Sequence, residues 1–206
     1  MKIIGLNAYH PDSAAALVVD GEVVFAIEEE RLSRIKHWSG FPKESIKACL
    51  EFAGIGINEI DIIAINSDPN VDFGKRLQFL ARNPLSMLPA IKKFISPLKK
   101  SKIETDIFQE FGIKSTRIVN IDHHLCHLAS AYYASPFDEA AVLSVDGFGD
   151  FASTAWGVGK NEQLDLLGKV YFPHSLGIFY QAMTQWLGFP NYGDEYKVMG
   201  LAPYGE

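Results

Sequence analysis

The sequence predicts an α/β fold made from one module used twice, with the second copy truncated. Three observations predict it. β-rich segments come in two trios, one opening the chain and one past its middle; each trio has a polar loop after its first strand and a tight turn after its second. Each is then followed by a segment of helical spacing.

In the first copy, Lys2 to Asn7, Ala14 to Val19 and Val23 to Glu28 read as strands, and Asp20-Gly21 is a two-residue hairpin turn of the primed kind. The loop between the first two, Ala8 to Ser13, is short, polar and carries Pro11, so its amides are able to face a ligand. Glu28-Glu29-Glu30-Arg31 leads into a basic and aromatic loop, Leu32 to Pro42. Helical spacing follows from Glu44 to Phe52 through Ile46, Cys49, Leu50 and Ala53, with Gly54 ending it. Ile60 to Ile65 is a buried-strand candidate. From Phe73 to Lys100 the pattern is helical but broken by Pro84, Pro89 and Pro97. Lys92, Lys93, Lys99, Lys100 and Lys102 make that stretch basic, either as a solvated insertion or as a face for a subunit or polymer. Glu104 to Phe111 continues as helix, Arg117 to Ile121 is a strand, and a histidine-bearing helix runs from Asp122 to about Ala134.

The second copy repeats the order: strands Ala140 to Asp146, Ala152 to Val158 and Leu164 to Val170, then a helix over Ile178 to Leu187. The expected division is residues 1–139 for the first subdomain, including a helical insertion at about 73–113, and 140–206 for the incomplete second. A fragment of a longer protein is expected, because the second copy stops soon after its first helix.

Composition narrows the class. Of 206 residues, 48% are apolar and 21% charged, ordinary for a globular protein, and the formal charge of -6 argues against binding nucleic acid by phosphate neutralisation. The start is polar too early for a secretory signal and no run suits a membrane span, so a cytoplasmic protein with no membrane partner is expected. Cys49 and Cys126 fit a reducing compartment as unpaired packing residues.

The chemistry concentrates in Asp122-His123-His124-Leu125-Cys126-His127 and Val145-Asp146-Gly147-Phe148-Gly149-Asp150. On a helix, His123 and His127 share a face and form a two-point metal grip, and Asp146 closes an apolar strand where a carboxylate can join them. The other reading is an exposed histidine pair and a turn-capping aspartate. A zinc protease is disfavoured because His124 holds the position of its glutamate. Asp146, Gly147 and Gly149 also resemble a phosphate-cradling turn, or equally a hairpin loop. His10 and Asp12 take the equivalent loop of the first copy, as substrate groups or as a turn closed by Pro11. Lys36 and His37 suit a phosphate or carboxylate, or belong to a surface loop anchored by Trp38 and Phe41.

Five ordered blocks resemble the N-terminal part of the O-carbamoyltransferases that act on nodulation factors, cephamycin and tobramycin. They are Gly5 to Leu17, Glu28 to His37, Asp122 to His127, Val145 to Gly147 and Gly193 to Gly205. The resemblance implies an actin-like ATPase (ribonuclease H-like) duplicated fold. It implies a divalent metal, iron before zinc or manganese, on His123, His127 and Asp146. His10, Asp12 and Lys36 are the expected catalytic or substrate contacts. It further implies that a YrdC-like domain in the same polypeptide, outside these residues, makes carbamoyl-adenylate from carbamoyl phosphate and ATP. The carbamoyl group then passes to a hydroxyl of a sugar, antibiotic or nodulation-factor-like acceptor. Pro11, between His10 and Asp12, departs from the family pattern. A phosphotransferase of the same fold is the rival expectation, and a non-catalytic metal-binding module the third. Homo-oligomerisation is left open.

Overall fold

The computed structural model describes residues 1–83, 98–113 and 117–205. It is α/β, as predicted, and its contacts divide it into two units, Met1–Phe73 with Leu77–Asp122, and Gly74–Arg76 with His123–Glu206.

In the first unit, β1 (Lys2–Asn7), β2 (Ala14–Val19) and β3 (Glu22–Glu28) form the expected antiparallel meander. Asp20 and Gly21 both take positive φ, the requirement of a primed turn. β4 (Ile62–Ile65) and β5 (Arg117–Asn120) add parallel strands, giving the sheet order β3-β2-β1-β4-β5. Alternation along β1 and β2 puts Ile4, Leu6, Ala15 and Leu17 on one buried face.

That face is covered by α2 (Lys43–Ala53) through Ile46, Cys49 and Leu50, and by Ile103 and Ile107 of α4 (Leu98–Phe111). Burial pushes the Cys49 thiol up to about 11, which suits a packing residue rather than a nucleophile. Gly54 ends α2 with φ 63°, as its type predicts. A short α1 (Glu29–Ser33), which no sequence signal announces, runs into the first two residues of the expected Leu32–Pro42 loop, and α3 spans Phe73–Arg82. The expected breaks at Pro84, Pro89 and Pro97 lie outside the described residues, as do Lys92 and Lys93.

Glu29 explains the start of α2. Pro42, at the N-cap, offers no side-chain cap. The buried Glu29 carboxylate accepts from Ser45 N (2.8 Å), Ser45 Oγ (2.7 Å) and Glu44 N (3.1 Å), filling the orphan donors of the first turn.

The second unit is built on β6 (Glu139–Gly149), β7 (Ala152–Lys160) and β8 (Gln163–Tyr171), a three-stranded antiparallel sheet in that order. The expected boundary at 139/140 assigned the histidine helix to the first subdomain. By contact, however, α5 (His123–Tyr133) groups with this sheet, burying Leu128 and Tyr132 against Val142 and Ala155. Gly159 makes room for the Tyr132 ring, since a Cβ there would stand 2.4 Å from its Cε2. α6 (Leu176–Trp186) and a further α7 (Glu195–Leu201) complete the unit. No helix among the described residues is long and apolar enough to cross a membrane.

Candidate metal centre

The helical spacing of His123 and His127 has the consequence the sequence suggested, since both rings reach one point at the end of the apolar part of β6. His123 Nε2 lies 3.0 Å from His127 Nε2 and 3.0 Å from Asp146 Oδ2, and the His127 Nε2 to Asp146 Oδ2 distance is 3.6 Å. An ion bound at about 2.0–2.1 Å to each of three tetrahedral ligands sets their atoms roughly 3.3 Å apart, so the triangle has the size of one face of a metal site. Two nitrogen lone pairs and a carboxylate converging this closely satisfy one another poorly by hydrogen bonds alone, because a single proton serves one line between them. The donor set fits a divalent ion. His123 is nearly buried, whereas His127 is 49% exposed, which leaves the site open on one side.

Neighbouring groups hold this geometry. Gly149 is needed for clearance, because a Cβ there would stand 1.9 Å from His123 Cδ2. Asp150 Oδ2 accepts the backbone amide of His123 at 3.0 Å, fixing the first residue of α5. His124 is fully buried and its Nδ1 lies 2.9 Å from Ser144 Oγ, which ties α5 to β6; burial lowers its pKa and keeps the ring neutral. Ser175 caps α6 by accepting from Ile178 N and donates to the carbonyls of Asp146 and Gly147. Gly177 brings the start of α6 against Asp146, where a Cβ would lie 2.6 Å from the carbonyl carbon. The hydrogen bond from His123, with the His127 imidazole close by, holds the Asp146 carboxyl far below the usual carboxylate range.

The glycines of the expected phosphate cradle sit differently from a simple loop. Gly147 and Gly149 belong to β6, and neither has positive φ; Asp150 (φ 48°) and Phe151 (φ 80°) make the turn. Gly147 N donates to Asp146 Oδ1 at 2.6 Å, so that amide serves the carboxylate.

The other predicted residues lie in the first unit. Asp12 has φ 60°, and its Oδ1 is 2.8 Å from His37 Nδ1; the backbone amide of His37 donates to Glu30 Oε2 at 3.0 Å. Asp12, Glu30 and His37 thus form a second compact group. His10 and Lys36 are exposed. The 8–13 loop is held by Asn7 Nδ2, which donates to the Asp12 carbonyl at 2.9 Å, and by Ser13 Oγ, which donates to the carbonyls of His10 and Gly40.

Sequence reading missed Gly149 as a clearance residue, Asp150 and Ser175 as positioning residues, and Glu30 beside Asp12. The glycines and Asp150 were visible as a motif, but their partners are set by the register of β6 on α5, which spacing does not reveal.

Fold and site together define an α/β protein with a repeated strand meander and a two-histidine, one-carboxylate centre. The whole chain, residues 2–206, matches the family described as carbamoyltransferase N-terminus, and it belongs to that family. It is 42% identical to the uncharacterized protein sll1178 of Synechocystis, over 99% of this chain and 35% of that protein. It is 38% identical to the nodulation protein NolNO of Sinorhizobium fredii, over 97% of this chain and 28% of that protein. The chain therefore spans about a third of the length of these relatives. Among solved structures, YeaZ from Pseudomonas aeruginosa aligns with 84% of this chain and 67% of its own, at 14% identity and a TM-score of 0.44.

Proposed function

We propose that this chain is the metal-binding, transfer half of an O-carbamoyltransferase on an actin-like, duplicated frame. The carbamoyl group comes from carbamoyl-adenylate, made from carbamoyl phosphate and ATP by a YrdC-like domain in the same polypeptide, and goes to a hydroxyl of a sugar, antibiotic or nodulation-factor-like acceptor. The observation that carries the reading is the convergence of His123 Nε2, His127 Nε2 and Asp146 Oδ2 in a member of this family.

His123, His127 and Asp146 are the residues that would hold the ion, iron in first place with zinc and manganese compatible with the same donors. Bound there, a divalent metal supplies Lewis acidity and charge stabilisation for acyl transfer. The chain's own residues orient it: Asp150 and the His124–Ser144 contact fix the imidazoles, and the Gly147 amide fixes the carboxylate. In the transfer the acceptor hydroxyl oxygen bonds to the carbamoyl carbon, the bond from that carbon to the AMP phosphate oxygen breaks, and the hydroxyl proton leaves to a base. His10, Asp12 and Lys36 are the substrate or phosphate contacts in this reading, with His37 holding Asp12. A cytoplasmic setting supplies both donors.

Product analysis tests the proposal. A full-length family protein containing this region, incubated in water with ATP, carbamoyl phosphate and an acceptor hydroxyl, is expected to yield AMP, pyrophosphate and inorganic phosphate, the last from carbamoyl phosphate, with the carbamoylated acceptor. Release of ADP instead would assign it to the phosphotransferases.

A further inference from the structure

The duplicated module carries its candidate ligands at the same place in each copy. Leu6 pairs with Ala15 and Ile4 with Leu17 in the first meander; Val145 pairs with Thr154 and Leu143 with Trp156 in the second. The connection between the first two strands therefore has one length in both copies, and Asp12 and Phe151, both at positive φ, take the same place in it. Among the described residues, two groups of histidine and carboxylate side chains lie close enough to share an ion. Each includes an aspartate of this connection: Asp146, with His123 and His127, in the second copy, and Asp12, with Glu30 and His37, in the first.

The backbone holds the first copy's group together. The amides of Tyr9 and Ser13 donate to the carbonyls of Gly40 (3.1 Å) and Trp38 (2.9 Å), laying the loop after α1 along the loop after β1 and setting His37 beside Asp12. Neighbouring side chains on a helix point about 100° apart, so with Glu29 turned inward to cap α2, Glu30 faces another way, where its Oε2 accepts the His37 amide. One ligand atom each from Asp12, Glu30 and His37 then lies within 4.8 Å of the other two. Two carboxylates share this spot, and one imidazole proton serves only the line to Asp12. The nearby cation is divided, since Arg31 Nε bonds Glu28 at 3.1 Å while its Nη2 stands 4.0 Å from Glu30. A divalent ion neutralises the pair better than either.

We infer that Asp12, Glu30 and His37 form a second divalent-cation site, distinct from the two-histidine centre and lying wholly within the first unit. Its donors are two carboxylates and one imidazole, a set richer in oxygen that suits a hard, hydrated ion of the magnesium or manganese class. Asp12 and His37 are 43% and 45% exposed, so the remaining coordination positions go to water or to a phosphate oxygen. Held this openly, the ion is lost on desalting, and the metal content of the purified chain reads the two-histidine centre alone. The inference stands independently of the carbamoyl chemistry. Within that reading it gives Asp12 the positive partner that a phosphate contact needs, because a bare carboxylate repels a phosphate.

The test titrates Mn²⁺ into the 206-residue chain after chelator treatment, with His127→Ala and Asp146→Asn removing the two-histidine centre. Should that double variant fail to fold, the wild-type chain preloaded with one equivalent of zinc takes its place. Free Mn²⁺ is counted by electron paramagnetic resonance, and the ion is located by its broadening of backbone amide signals. The expected result is about one Mn²⁺ per chain with a dissociation constant on the order of 0.1–1 mM, and broadening centred on residues 12, 30 and 37. Asp12→Asn and Glu30→Gln keep the shape and the acceptor oxygens while removing charge, and each is expected to weaken binding at least about tenfold, with urea midpoints confirming that both are folded. Glu51→Gln, which removes an exposed carboxylate on α2, is expected to leave it unchanged. No binding at about 5 mM Mn²⁺, binding indifferent to both Asp12→Asn and Glu30→Gln, or broadening centred elsewhere would overturn the inference.

Discussion

Gly149 carries more of the candidate metal centre than its size suggests. Any side chain there collides with the His123 ring, so Gly149→Ala has to push the imidazole out of the triangle or shift β6. We expect a loss of about 1–3 kcal/mol in stability and loss of the bound ion, read by urea unfolding and by metal analysis on the same sample. Retention of one tightly bound ion would show that the ring position does not matter. Asp146 gives a second prediction, with a definite sign. Its folded pKa lies below the unfolded value, so its contribution is present above about pH 3.9 and fades as pH falls below it. In metal-free protein, the difference in urea midpoint between wild type and Asp146→Asn should be smaller at pH 3 than at pH 6, and should go on shrinking as the pH falls further toward the folded pKa. A difference that widens in acid would contradict the hydrogen bonds assigned here. At this scale the convergence of the two candidate ligands on α5 was legible because helical periodicity alone aligns His123 with His127. Gly149 and Asp150 were visible only as punctuation, since their roles depend on which strand residue meets the first turn of α5.

The capping of α2 is an element-scale device. A helix that starts after a proline with no capping side chain borrows the carboxylate of Glu29 from a neighbouring short helix, and the charge sits where the helix dipole favours it. Glu29→Gln keeps the shape and removes the charge, and it should lower stability by about 1–3 kcal/mol through a shift in urea midpoint with little change in slope. An unchanged midpoint would mean that solvent serves those amides equally well. Strands were read well from the sequence because β-branched runs with Asp-Gly or loop punctuation define them locally. The short helices α1 and α7 were missed, as each is too brief to show periodicity and is fixed by tertiary contacts, such as Glu29 turning inward and the Asp194 carboxylate bonding Asn191 and Lys197.

On the scale of the whole molecule, the repeat was legible from element order. The assignment of the histidine helix was not, because a crossover helix follows one sheet in sequence and packs on the next. The consequence is that the three candidate ligands all belong to the second unit, held by α5, β6 and the start of α6 rather than by the first sheet. Metal analysis of the purified chain, with His127→Ala, Asp146→Asn and His10→Ala alongside, tests this most directly. The account predicts about one divalent ion per wild-type chain, loss of the ion in the first two variants, and retention in His10→Ala. Unchanged metal content in His127→Ala would contradict it.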